Sequence, residues 1–108
     1  IDLHDFYNPS TKEHLYVTRY DQSMRREGYE WRGVVGKIFV QATPGTIALS
    51  GQQGRIGYIF AQPHANTTGL YHCVSGDGDL FTSSASTARK AASQPFTRCD
   101  GVVGYVGF

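Results

Sequence analysis

The chain is poor in the features that mark several large classes of protein. No apolar run in its 108 residues approaches the roughly 20 needed to cross a bilayer as a helix, and none resembles the apolar segment of a secretory signal. Membrane insertion is therefore not expected. Charge of one sign is also lacking, because ten Lys and Arg stand against nine Asp and Glu for a net charge of +1. The basic residues are scattered apart from Arg25-Arg26 and Arg89-Lys90. So weak a field does not gather phosphates, and nucleic acid is not an expected partner. There is no Gly-x-Ser-x-Gly motif of a serine nucleophile. Two widely separated cysteines do not form a zinc ligand set, and neither a metal nor a cofactor is expected. The length suffices for one modest core and not for two, so residues 1–108 are read as one domain.

What is present in quantity is glycine, with 13 residues, and aromatics, with seven Tyr and six Phe. The tetrapeptide Gly-Val-Val-Gly occurs at 33–36 and again at 101–104. Chance identities lose their similarity when extended, whereas true repeats keep their pattern of residue classes. Here the pattern persists. Leu15-Tyr16-Val17-Thr18 matches Leu80-Phe81-Thr82-Ser83, each as the second strand of a hairpin. A Ser- and Thr-rich cap and a short helical stretch follow, Asp21 to Glu27 in one case and Ala85 to Ser93 in the other. An aromatic residue, Tyr29 or Phe96, then leads back into a strand. A reduced third member, Gly54-Arg55-Ile56-Gly57-Tyr58-Ile59-Phe60, aligns with residues 33–39.

The pattern divides the chain into three units, about 1–44, 45–68 and 69–108, the middle one shortened by loss of its hairpin and helix. Paired glycines flanking two aliphatic residues suit a strand that must bend, bulge or let another backbone approach. The expected fold is mainly β with two short helices, an α+β domain with pseudo-threefold packing that admits a compact, β-trefoil-like arrangement. The simpler alternative is a duplicated ββαβ unit with no threefold relation.

"FYNPSTKEHLYVT" and "GYEWRGVVGKIF" together resemble a repeat family of unassigned function found in secreted fungal and bacterial proteins. Its units read approximately Tyr-Asn-Pro-x-x-x-Asp-His-Phe-Tyr-Thr-Thr, a short helix, and Gly-Tyr-x-x-Glu-Gly-x-x-Gly-Tyr-Val-Phe. Glu13-His14-Leu15-Tyr16 stands in the place of Asp-His-Phe-Tyr. The resemblance is strong over the first unit, moderate over the third and slight over the middle. Such units usually come in threes beside catalytic or wall-binding domains, which implies a binding role directed at glycans. The third unit departs from the pattern with Gly78-Asp79 where the family has Asp-His.

Tyr7, Asn8, Glu13, His14 and Tyr16, with Tyr29, Trp31 and Arg32, supply what sugar binding requires. An aromatic ring stacks on the C–H face of a pyranose while fixed donors and acceptors meet its hydroxyls. The competing reading is that Tyr7, Tyr16 and Trp31 fill the core and Asn8-Pro9-Ser10-Thr11 is only a turn. A second candidate is "HCVSGDGDLF", with His72, Asp77 and Asp79. Its Asp-Gly-Asp suits sugar hydroxyls or calcium, but a cation site takes six to eight oxygens, and a hairpin turn is the plainer explanation.

Cys73 and Cys99 allow one pairing, and a bridge between them would contribute about 3 kcal/mol if the protein meets an oxidising compartment. Asn66-Thr67-Thr68 is a glycosylation sequon, and Asn8-Pro9-Ser10 is disqualified by its proline. The chain opens at Ile1 without an initiator Met, for which cleavage of a secretory signal is one explanation. Together these features point to a secreted, lectin-like protein that binds glycans or glycoconjugates, has no enzymatic activity, and pairs as a homodimer to raise its avidity. Two alternatives remain: a small hydrolase or ribonuclease using His14 and His72, and a module that binds other proteins through aromatic edge strands.

Overall fold

The computed structural model describes residues 1–19, 23–51, 54–76 and 78–108. Eight strands dominate: β1 (Asp2–Asn8), β2 (Glu13–Val17), β3 (Glu30–Lys37), β4 (Thr46–Gly51), β5 (Gly54–Phe60), β6 (Thr67–Ser75), β7 (Gly78–Thr82) and β8 (Arg98–Gly107). The first and last segments each place a hairpin, β1–β2 or β6–β7, beside a returning strand, β3 or β8. The middle segment is the bare pair β4–β5.

The expectation of two short helices is met once. Helix α2 (Ala85–Ala92) is capped by Ser84, whose hydroxyl accepts from the Thr87 N–H. In the first segment only a single turn, α1 (Ser23–Arg26), is formed, and Asp21, where the helix was expected to begin, lies outside the described residues.

The sheet curls into a nearly closed, barrel-like form. Three short pairings draw it together: Phe39 with Tyr58, Phe60 with Tyr105, and Gly107 with Lys37. Each joins the C-terminal parts of two of the returning strands β3, β5 and β8, or the residues just beyond them. The same three strands meet through their second glycines. A Cβ at Gly57 would lie 2.7 Å from Ile38 Cδ1, and side-chain atoms of Val106 and Ile59 crowd Gly36 and Gly104 in the same way. The first glycines of the motif, Gly33, Gly54 and Gly101, have φ of 125°, 110° and 82°, a region that side chains rarely enter. Both glycines of each Gly-x-x-Gly thus answer to geometry, one to close approach and the other to backbone sign.

Ile38, Ile59 and Val106 point inward with Leu3, Leu49 and Leu70, and this cluster is closed at one end by Tyr16 and Phe81 from the hairpins. Leu3, Leu70 and Val106 are fully buried, each removal of such a side chain from water being favourable by about 1.5–3 kcal/mol. The disulfide joins Cys73 of β6 to Cys99 of β8, which face each other in the ladder with Cα atoms 4.0 Å apart. No helix among the described residues is long and apolar enough to cross a membrane.

Candidate functional site

Asn8 is set by the turn it begins. Its side-chain Oδ1 accepts from the Ser10 and Thr11 N–H groups at 3.0 and 3.4 Å, and its Nδ2 donates to the Glu27 carbonyl at 3.3 Å. It is buried, so its polar atoms hold the loop and the end of α1 together. Lys12, with φ of 60°, closes the turn by donating its N–H to the Asn8 carbonyl at 2.7 Å. That turn presents Lys12 and His14 on the near side of β2.

Alternation along β1 then divides the first cluster of candidates in two. Asp5 and Tyr7 lie on one face. His14 Nδ1 is 2.8 Å from Asp5 Oδ1, its ring is 4.8 Å from that of Tyr7, and it stacks against Tyr16 at 5.9 Å. Arg32 lies over the Tyr7 ring, 5.0 Å from its centre, and pairs with Glu30 at 3.3 Å. Trp31 belongs to the opposite face, where its Nε1–H donates to His4 Nδ1 at 3.1 Å. Tyr29 is half-buried and Glu13 exposed, and neither has an ion pair or ring contact among the described residues.

Tyr16 is buried between the two hairpins. Its hydroxyl accepts from the Phe81 N–H at 2.8 Å, and the two rings meet edge to face at 5.1 Å. Burial, with the Asp5 carboxylate next, holds the Tyr16 phenol well above its ordinary range. Tyr16 is therefore a bridge between the hairpins rather than an exposed platform.

In the last segment His72 stacks on Phe81 at 4.5 Å, with Nε2 2.7 Å from Asp79 Oδ1 and Nδ1 3.2 Å from Asp100 Oδ2. Asp77 lies outside the described residues. His72 stands on the first strand of its hairpin where Asp5 stands in the other, and Asp79 on the second strand where His14 stands. Acid and imidazole have exchanged places.

Between the hairpins runs a cleft of about 550 Å³. Tyr7, Lys12 and His14 line one wall, Asp79 and Leu80 another, and the connection from α2 to β8 a third, through Gln94 and Phe96. Phe96 is 98% exposed and has φ of 61°. A left-handed backbone at a bulky residue costs about 1–3 kcal/mol and marks places where the surroundings impose a geometry. His72 and Trp31 do not line this cleft.

Reading the residues in order missed Asp5, Lys12, Gln94, Phe96 and Asp100. Asp5 was within reach, because a hairpin turning through Asn8-Pro9-Ser10-Thr11 sets Asp5 opposite Tyr16 and diagonal to His14. Nothing local announces Phe96 as a cleft residue, since it lies in an exposed connection that borders the cleft only in the folded chain. Among the described residues no group of three or more His, Cys, Asp or Glu side chains is arranged to hold a metal ion.

Comparison with known proteins finds no matching family model, no matching curated protein and no matching solved structure.

Proposed function

We propose that the protein is a secreted, lectin-like domain that binds glycans in the cleft between its first and last hairpins. The observation that carries this reading is the composition of that cleft. It is open and of a size for one or two sugar rings, with an exposed aromatic face in Phe96 and a convergent set of donors and acceptors in Tyr7, Lys12, His14, Asp79 and Gln94. Stacking on Phe96 and hydrogen bonds from the walls are the interactions a pyranose needs. Of the residues first assigned to glycan binding, Tyr7, His14 and Asp79 line the cleft, while Asn8 and Tyr16 act by shaping it.

We also read the three segments as copies of one repeat about a pseudo-threefold axis, in a β-trefoil-like domain. Support comes from the cyclic order of the pairings 39–58, 60–105 and 107–37, and from the matching close approaches at Gly36, Gly57 and Gly104. The disulfide agrees with an oxidising, extracellular setting. A single shallow cleft gives weak affinity, which two linked sites in a homodimer would raise.

One observation favours a hydrolytic alternative. Asp5 fixes His14 through Nδ1, which leaves Nε2 available as a proton acceptor beside the cleft. Against a two-histidine mechanism, His72 has a carboxylate at each ring nitrogen and lies outside the cleft wall. A glycan array separates the readings. The binding reading expects retention of particular glycans by the wild type, lost in Phe96→Ala and His14→Ala. Turnover of an ester, RNA or glycoside substrate that disappears with His14→Ala would favour the hydrolase. Retention of nothing, with folded protein, would end the lectin reading.

A further inference from the structure

The turn joining β5 to β6 lies at the far end of the molecule from the cleft, since β6 runs nine residues from Thr67 to the Ser75 end that lines it. At about 3.3 Å per residue the separation is roughly 30 Å. Asn66 is the last residue of this turn, directly before β6, exposed and with φ of 59°. Its carbonyl accepts from the Phe108 N–H at 3.2 Å, but no described residue hydrogen-bonds to its carboxamide.

The turn accounts for Asn66, a residue type that tolerates the left-handed region, and for Thr67, but not for Thr68. The turn before β4 is built in the same way: Thr46 Oγ1 accepts from the Thr43 N–H and donates to the Thr43 carbonyl, as Thr67 Oγ1 does with His64. Gly45 fills the left-handed position there, with φ of 82° and no sequon. Two residues before Asn66 in the same turn, and absent from the other turn, is the start of an aromatic pair. The His64 ring lies 4.1 Å from that of Phe60, which in turn meets Phe39 edge to face at 5.1 Å.

We propose that Asn66 is an N-linked glycan acceptor and that the first sugar of the glycan rests on the His64–Phe60 pair. In the transfer the Asn66 carboxamide nitrogen attacks C1 of a lipid-linked oligosaccharyl pyrophosphate. The new C–N bond forms as the C1–O bond breaks, the pyrophosphate leaves with the electron pair, and the amide proton passes to a base of the transferase. Asn66 is exposed, so its carboxamide is open to the transferase, and the C–H face of the attached sugar covers aromatic surface of the exposed His64 and half-buried Phe60. The modification lies on the opposite end from the cleft and does not obstruct it.

The test is secretion of the full chain from a eukaryotic host, followed by intact mass measurement before and after treatment with peptide N-glycosidase. The expected result is a mass excess that the enzyme removes, leaving Asp at position 66. Asn66→Gly, which keeps the backbone conformation, and Thr68→Ala should both lack the excess. Glycosylated wild type should melt a few degrees above its deglycosylated form, as a contact worth a fraction of the folding free energy would give. That gain should vanish in His64→Ala. An unmodified Asn66 from cells that fully glycosylate a co-secreted reference sequon would overturn the acceptor assignment. An equal gain in His64→Ala would overturn the stacking.

Discussion

Phe6 stands opposite Trp31 in the first segment, and Cys73 stands opposite Cys99 at the same step of the corresponding ladder in the last. At this step the first segment pairs a fully buried Phe6 with a half-exposed Trp31, and the last joins its two residues by a covalent bond. The faces that meet at the cleft differ as sharply, since Asp5 supports His14 in one hairpin while His72 supports Asp79 in the other. Backbone register therefore constrains this protein more tightly than side-chain identity does. The shared positions are those where geometry leaves little choice, such as the crowded glycines and the inward leucines. Ties and charges vary, and they vary where the cleft is formed.

The largest expected effect comes from the buried ring of Phe6. Phe6→Ala empties a fully buried site and should cost about 3–5 kcal/mol in denaturant unfolding. A loss below about 1 kcal/mol would mean that the first segment does not depend on Phe6 as the last depends on its bridge. Replacing both Cys73 and Cys99 by Ala should cost about 2–4 kcal/mol. The loss should be felt most at α2, which buries only Ala88 and has the Ala88 carbonyl 3.7 Å from Cys99 Sγ. Faster amide exchange in α2 and in residues 94–97 than in the barrel would bear this out, and uniform loosening would contradict it.

Tyr16→Phe removes the acceptor of the buried Phe81 N–H and should cost about 1–3 kcal/mol. It should also alter the alkaline limb of stability. The phenol's folded value is raised above its unfolded one near 10, so its contribution is intact below that pH and is lost as pH rises toward the folded value. In Tyr16→Phe that part of the alkaline loss should be absent.

The smallest effect is the most informative about the exchanged pair. Asp5→His and His14→Asp should each destabilise, while the double variant, which copies the arrangement of the last hairpin, should recover about 1 kcal/mol of coupling. Strict additivity would show that the two hairpins are not interchangeable frames.

The fold was legible where local chemistry is strict. The Gly-x-x-Gly motifs marked β3, β5 and β8, the Asn8-Pro9-Ser10-Thr11 turn gave the first hairpin, and Ser84 announced α2. Among the described residues α1 is one turn, Ser23–Arg26, where a stretch to Glu27 is expected, because so short a stretch has little stability of its own. At the site, His14, Tyr7 and Asp79 declared themselves by type. The division of Trp31 from Tyr7 follows from strand alternation, but only once the limits of β1 and β3 are known. Gln94 and Phe96 are exposed and come to the cleft through the path of the connection from α2 to β8, and nothing in their neighbours distinguishes them from an ordinary loop.

The central claim is that ligand binding belongs to the cleft between the hairpins. It is tested most directly by amide chemical-shift mapping while a panel of chito-, cello-, manno- and galacto-oligosaccharides is titrated in. The account expects saturable shifts from at least one of them, centred on Tyr7, Lys12, His14, Asp79 and Phe96 and lost in Phe96→Ala. Shifts centred instead on His4 and Trp31, or no saturable shift with any of the four, would contradict it.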